Sequence, residues 1–312
     1  MKLSVVVPVL DEEDNVEPLS RAVADAAARL ALDHELIFVD DGSTDRTAER
    51  IARLHEADPR VKLVSLSRRF GQQTALTAGM DVSTGDAVAL MDGDLQHPPE
   101  VLEELVRHWR EGYEVVYTIR RDTEDAGALK RFSSAVFYRL FRKATGMNVP
   151  FHAADFRLMD RRVVEALGAM RERTRFLRGL TSWVGYRATG VPYVAAARHA
   201  GRTKYGLVDM THLALDGIVS FTSIPLYAAV YTGALLSVLA ALYSVYVVYI
   251  RLFTSRAVPG WASVIMLVAA IGGIQLLVLG VLGIYIGKIY EEVKQRPLYL
   301  VRRTLGLPER PS

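Results

Sequence analysis

Met91-Asp92-Gly93-Asp94-Leu95-Gln96-His97-Pro98-Pro99-Glu100 sets two carboxylates at i and i+2 around a glycine, directly after the apolar run Ala87 to Met91. That run reads as a buried strand and the pattern after it as a helix, so the acids stand at a strand's carboxyl end. Open α/β sheets bind ligands at that edge. Paired carboxylates there suit a hard divalent cation, because Mg²⁺ shares its oxygen ligands between one or two carboxylates and a substrate's phosphates. The predicted chemistry is a metal–diphosphate site. Asp40-Asp41 and Asp11-Glu12-Glu13 end two further apolar runs. A crevice with that many carboxylates repels a nucleotide's phosphates unless a cation stands between them, which again implies a metal.

The elements that must position these acids alternate along residues 1 to 120. Apolar runs at Leu3–Leu10, Glu35–Val39, Val61–Leu66, Asp86–Met91 and Glu114–Thr118 read as strands. Between them, Val16–Ala31, Thr44–Ala57, Gln72–Val82 and Pro99–Glu111 carry helical periodicity, with Ser, Thr and Asp before the second suited to N-capping. This alternation predicts an α/β fold whose mostly parallel sheet is covered on both faces. No Gly-x-Gly-x-x-Gly follows the first strand, and neither a Walker A motif nor His-Glu-x-x-His occurs. A dinucleotide oxidoreductase, a P-loop NTPase and a zinc hydrolase of that type are thereby disfavoured. Cysteine is absent, which removes disulfides, thiolate metal sites and cysteine nucleophiles.

Residues 120 to 200 change character. Arg120, Arg121, Lys130, Arg131, Arg139, Arg142 and Lys143 interleave with Phe132, Phe137, Tyr138 and Phe141. They form a solvated amphipathic helix or one that meets anionic lipid headgroups. His152-Ala153-Ala154-Asp155-Phe156-Arg157-Leu158-Met159-Asp160 follows, readable by itself as a capping or ion-pair feature. Gly201-Arg202-Thr203-Lys204-Tyr205-Gly206 is a glycine-bounded basic loop, and the apolar spacing from Leu207 to Phe221 suits a helix in a membrane interface. Gly217–Ile250 and Ala257–Gly287 then carry no charged residue. Each exceeds the roughly 20 residues that a membrane-spanning helix needs.

The expected organisation is a catalytic domain at 1–200, a juxtamembrane helix at 201–222, spans at 223–250 and 261–287 joined by 251–260, and a tail at 288–312. Five basic residues after the second span against two in the connection place the carboxyl terminus in the cytoplasm. Two spans return both ends to one side, so the expectation is a multi-pass protein of the cell membrane with a cytoplasmic catalytic domain. The spans argue against a nucleic-acid partner. Gly272, Gly273, Gly280, Gly283 and Gly287 permit the close helix packing that a homo-oligomer would use.

Together these motifs resemble the glycosyltransferase family 2 enzymes that charge polyprenyl phosphates, the bactoprenol glucosyltransferase and dolichol-phosphate mannosyltransferase type. The matching residues are Val5-Val6-Val7-Pro8 with Asn15, Val39-Asp40-Asp41-Gly42-Ser43-Thr44-Asp45, Phe70-Gly71-Gln72-Gln73 and Gly85-Asp86. Met91 to Pro99, Ala154-Asp155-Phe156-Arg157, Lys204-Tyr205-Gly206 and the two spans continue the match. The resemblance implies a GT-A (Rossmann-like) fold and inverting transfer from a nucleotide-diphosphate sugar with Mg²⁺ or Mn²⁺. It implies that Pro8, Glu12, Asp40 and Asp41 line the base and ribose, and that Asp92, Asp94 and Gln96 hold metal and diphosphate, with Gly93 and Arg120 also at the donor. Arg131, Arg157, Arg202 and Lys204 would meet donor or acceptor phosphates, and Asp155 stands in the position of the proposed base. The family's Tyr-Asn-Glu is Leu10-Asp11-Glu12 here.

The expected reaction is hexose transfer to a polyprenyl phosphate, with undecaprenyl phosphate the expected acceptor. The donor is UDP-glucose by likeness of the Asp155–Asp160 segment and the two spans to the glucosyltransferases; the alternative is a GDP-mannose-using mannosyltransferase. A polysaccharide synthase is disfavoured because Trp109, Trp183 and Trp261 all lack a Gln-x-x-Arg-Trp context. The acids at 92, 94 and 155 speak against a non-catalytic nucleotide-binding protein, and spans without internal charge against a transporter.

Overall fold

The computed structural model describes residues 1–98, 100–120, 153–173, 175–194, 224–253 and 260–307. Arg131, Arg202, Lys204 and the expected juxtamembrane helix lie outside them. The chain divides into two units, Met1–Gly206 with Arg296–Ser312, and Leu207–Gln295.

The first unit begins with β1 (Lys2–Val9), α1 (Val16–Arg29), β2 (Asp33–Asp40), α2 (Thr47–Ala57), β3 (Val61–Leu66), α3 (Gln72–Val82), β4 (Ala87–Leu90), α4 (Val101–Arg110) and β5 (Val115–Arg120). It continues with β6 (Ala153–Asp160), α5 (Arg161–Ala169), α6 (Leu177–Trp183), β7 (Ala188–Tyr193) and β8 (Val301–Leu305). One sheet takes all eight strands in the order β7-β5-β6-β4-β1-β2-β3-β8. β4, β1, β2 and β3 run parallel, as expected of strands joined by helical crossovers.

Both faces of β1 are covered, which is why its sequence is a continuous valine run and not an alternation. On one face Leu3, Val5, Val7 and Val9 join Phe38, α1 residues Val16, Leu19 and Val23, and α4 residues Leu102, Leu105 and Val106 in the core. On the other, α3 lies so close that a Cβ at Gly79 would strike Val6 Cγ1 and approach Val39 Cγ2 to 3.0 Å. At the start of α2 the helix begins at Thr47, and Asp45 Oδ1 accepts the Thr47 N–H at 3.0 Å. The N-cap position itself is Arg46, whose side chain makes no cap bond, so of the polar residues expected to cap only Asp45 reaches a helix N–H.

Three strands add to the expected arrangement, of which β7 pairs parallel with β5 at one edge of the sheet. Residues 153–160, readable as a polar capping segment, form β6, which inserts antiparallel between β4 and β5. The expected tail carries β8, antiparallel to the outer edge of β3. Tyr299 Oη donates to Asp81 at 2.7 Å, and Arg171 pairs with the same carboxylate at 2.7 Å. Away from the strand ends that carry the acid motifs, Glu35 is 1% exposed and accepts from Ser4 Oγ (2.6 Å), Thr84 N (2.7 Å), Lys62 Nζ (2.6 Å) and Lys2 Nζ (2.9 Å).

The second unit contains α7 (Ile224–Phe253) and α8 (Trp261–Val293). Ile224–Ile250 and Ala270–Val293 are long and apolar enough to cross a membrane. α8 thus continues past the expected end of the second span at 287. Ser237 and Ser244 return their hydroxyls to the carbonyls of Gly233 (2.9 Å) and Ala240 (2.8 Å). That leaves no hydroxyl donor of α7's serines unsatisfied, as a lipid environment requires.

Candidate active site

β4, β1 and β2 are parallel neighbours, so their carboxyl ends bring Met91-Asp92, Leu10 to Glu12 and Asp40-Asp41 to one edge. β6 arrives from the other direction, pairing Val88 with Met159 and Leu90 with Arg157. Continuing that register by two residues sets Asp92 opposite Asp155. Three carboxylates, Asp92, Asp94 and Asp155, therefore gather where β4 ends. The protein packed around Asp92, with Asp155 and then Asp94 as like charges, pushes its carboxyl up to about 7.

Each of the two facing acids has its own holders. Gln72 Nε2 at the start of α3 donates to Asp92 Oδ1 at 2.7 Å. The next residue, Gln73, donates to Asp155 Oδ2 at 3.5 Å and accepts from the Leu177 N–H at 3.2 Å. Arg178 grips both oxygens of Asp155, Nε to Oδ1 at 2.7 Å and Nη2 to Oδ2 at 3.0 Å. Burial alone would raise Asp155; the Arg178 guanidinium, assisted by Arg157, holds it below the usual carboxylate range. Beneath the pair, His97 is 4% exposed and stacks on Phe156 with ring centroids 4.8 Å apart. Its Nδ1 accepts the Asp92 N–H at 3.1 Å, which puts the proton of a neutral ring on Nε2, facing Asp92 Oδ2 at 3.6 Å.

The remaining expected residues are placed as follows. Asp94 Oδ1 accepts the Gln96 N–H at 3.1 Å, closing the turn that carries both. Gly93 packs on β1, where a Cβ would lie 3.2 Å from the Pro8 carbonyl. Pro8 stands opposite Val39 in the β1–β2 ladder. Glu12 accepts from Asn15 Nδ2 at 2.5 Å, and Asp40 from the Ser43 N–H at 2.8 Å. Asp41 accepts the N–H groups of Phe70 (2.6 Å) and Gly71 (2.8 Å), and burial still pushes its carboxyl up. It thereby ties the end of β2 to the loop that launches α3. Arg157 is 2% exposed, with Nη1 on Thr181 Oγ1 at 2.6 Å and Nη2 on the Ala154 carbonyl at 3.1 Å, so it supports the site from below. Arg120 is the last residue of β5.

The donor set fits a hard cation. Asp92, Asp94 and Gln96 offer oxygen only, and Asp92, raised first by burial and then by the like charges of Asp155 and Asp94, is a carboxyl whose ionised form a cation would favour. Among the described residues no three of His, Cys, Asp and Glu could hold an ion by themselves. One or two carboxylates completed by substrate phosphates is the way Mg²⁺ is usually held.

Gln72, Gln73 and His97 lie within motifs visible in the sequence, but their roles depend on which acid each one reaches. Arg178 had no local signal, being one of several arginines between 171 and 178.

The family model described as "Glycosyl transferase family 2" matches residues 4–168. The chain is 43% identical over 307 residues to the "Uncharacterized glycosyltransferase YkcC" of Bacillus subtilis (strain 168), covering 98% of this chain and 95% of that one. It is 39% identical over 303 residues to the "Prophage bactoprenol glucosyl transferase homolog" of Escherichia coli (strain K12), covering 97% and 99%. It is 38% identical over 304 residues to the "SfII prophage-derived bactoprenol glucosyl transferase" of Shigella flexneri, covering 97% and 98%.

Proposed function

The chain belongs to glycosyl transferase family 2 and carries its GT-A fold, and we propose that this glycosyltransferase moves glucose from UDP-glucose to undecaprenyl phosphate at the cytoplasmic face of the cell membrane. The observation that carries the acceptor is the extent of the likeness. The family segment ends at residue 168, yet relatives called bactoprenol glucosyl transferase match 97% of the chain. That span includes both apolar helices, which supply the surface where a lipid acceptor is met.

In the reaction a phosphate oxygen of the acceptor attacks the anomeric carbon with inversion. The bond from that carbon to the diphosphate oxygen breaks, and the nucleoside diphosphate leaves with the electron pair. A phosphomonoester with a second pKa near about 6 arrives mostly as the dianion at neutral pH. It is already a nucleophile, so a strong base is not required. Asp155, kept anionic in the resting site by Arg178 and Arg157, accordingly orients the acceptor side and takes any residual proton. Asp92, Asp94 and Gln96 would hold Mg²⁺ or Mn²⁺, which when bound neutralises charge developing on the leaving diphosphate. The buried His97 and Gln72 keep the Asp92 carboxylate pointed at that task.

A panel of radiolabelled nucleotide sugars, incubated with the protein in membranes, undecaprenyl phosphate and Mn²⁺, tests the reading. Label from UDP-glucose is expected in the lipid extract and is lost with EDTA. Label from GDP-mannose alone would replace the glucosyl reading by the mannosyl one.

A further inference from the structure

We propose that Arg178 binds the phosphate of the acceptor, and that its grip on Asp155 is the resting position from which it turns to that phosphate. The proposal rests on the transfer reading above. An inverting displacement keeps nucleophile and leaving group on opposite sides of the anomeric carbon. The acceptor phosphate therefore needs a cation separate from the one that serves the diphosphate.

Among the described residues two arginines stand at Asp155. Arg157 is buried and committed to Thr181 and Ala154, as described above. Arg178 is 30% exposed at its side chain and presents its fork to the carboxylate through Nε and Nη2. That planar fork fits a phosphate as well as a carboxylate, and a phosphate dianion carries twice the charge. Asp155 is not stranded when the fork turns away. Arg157 Nη2 remains 3.6 Å from its Oδ1 and Gln73 Nε2 3.5 Å from its Oδ2, so the buried charge keeps partners. Gln73 also holds the Leu177 N–H at 3.2 Å, which fixes the base of Arg178 while its side chain moves.

The test uses the full chain in detergent, with undecaprenyl phosphate as varied substrate and Arg178→Gln and Arg178→Lys as variants. Removing charge-assisted bonds to the acceptor should raise its KM roughly 10- to 100-fold in Arg178→Gln. Arg178→Lys, which keeps the charge and loses the fork, should recover part of that. UDP affinity in the presence of Mn²⁺, measured by calorimetry, should stay within about twofold of wild type in both. The calorimetry also certifies that each variant is folded at its donor site. A fall in kcat at unchanged acceptor KM would overturn the proposal, since Arg178 would then act only by orienting Asp155. An equal loss of UDP affinity would overturn it in favour of the donor. Failure of the unmutated protein to transfer sugar to the lipid would sink the transfer reading itself, and shows before any variant is made.

Discussion

Asp92 and Asp155 come together at one strand end although α4, β5 and residues 121–152 separate them in the chain, and we propose that they serve one reaction. Their roles should come apart under substitution. Asp94→Ala removes a cation ligand and should abolish the gain in UDP affinity that Mn²⁺ provides; a Mn²⁺ dependence equal to wild type, by calorimetry, would refute the ligand assignment. Asp155→Asn should instead leave UDP binding nearly intact while transfer falls roughly 100-fold or more, because the acceptor side loses its alignment. Wild-type turnover in that variant would remove Asp155 from the mechanism. The Asp92-Gly93-Asp94 pair stands out in the sequence because its pattern is local, two acids two residues apart at a strand end. Gln72, Gln73 and Arg178 do not, because their meaning is a distance across the sheet edge. Arg157 shows the converse: its charge in a motif suggested a phosphate ligand, while its burial beside Thr181 makes it a support.

Among the elements, β1, β2 and the turn before β4 meet at Glu35, whose carboxyl is lowered to about 2. Burial opposes that shift; Lys62, Ser4, the Thr84 N–H and Lys2 overcome it. A depressed carboxylate stabilises the fold fully above its unfolded value of about 4.5, and that stability is lost as pH falls from there toward about 2. The shift corresponds to on the order of 3 kcal/mol. Glu35→Gln should therefore lower stability at pH 7, and denaturant unfolding of the full chain should show a shallower decline below pH 5 than wild type, by about 1 kcal/mol per pH unit. An unchanged acid slope would show that the network carries no such energy. The acceptor and donor KM values should not move, since Glu35 lies away from the strand ends that carry the site. The parallel part of the sheet was readable because strands covered on both faces must be continuous apolar runs, and their helices must be periodic. β6 was hidden because Asp155 and Arg157 interrupt its apolar run. β8, Val-Arg-Arg-Thr-Leu, has no strand signal of its own and owes its conformation to the open edge of β3.

At the scale of the whole molecule, β8 ties the end of the chain to its beginning. Hydrogen bonds join it to β3 within one unit, with Ser65 opposite Arg303 and Val64 opposite Thr304. No bilayer can lie between paired strands, so the chain before α7 and the chain after α8 must share one side of any membrane that the helices cross. An odd number of crossings is excluded by the pairing, and two helices of sufficient length stand between the two segments. On the expectation that the carboxyl terminus is cytoplasmic, the pairing predicts the catalytic domain on that same side. The absence of cysteine makes this directly measurable, because single thiols can be introduced without a background. In intact cells, Arg53→Cys on α2 and Arg302→Cys on β8 should both resist a membrane-impermeant maleimide and both react after permeabilisation. Ser255→Cys, in the connection between the helices, should react from outside. Opposite responses at 53 and 302 would mean that the strand pairing does not form in the cell, and equal labelling at all three would mean that the helices do not cross.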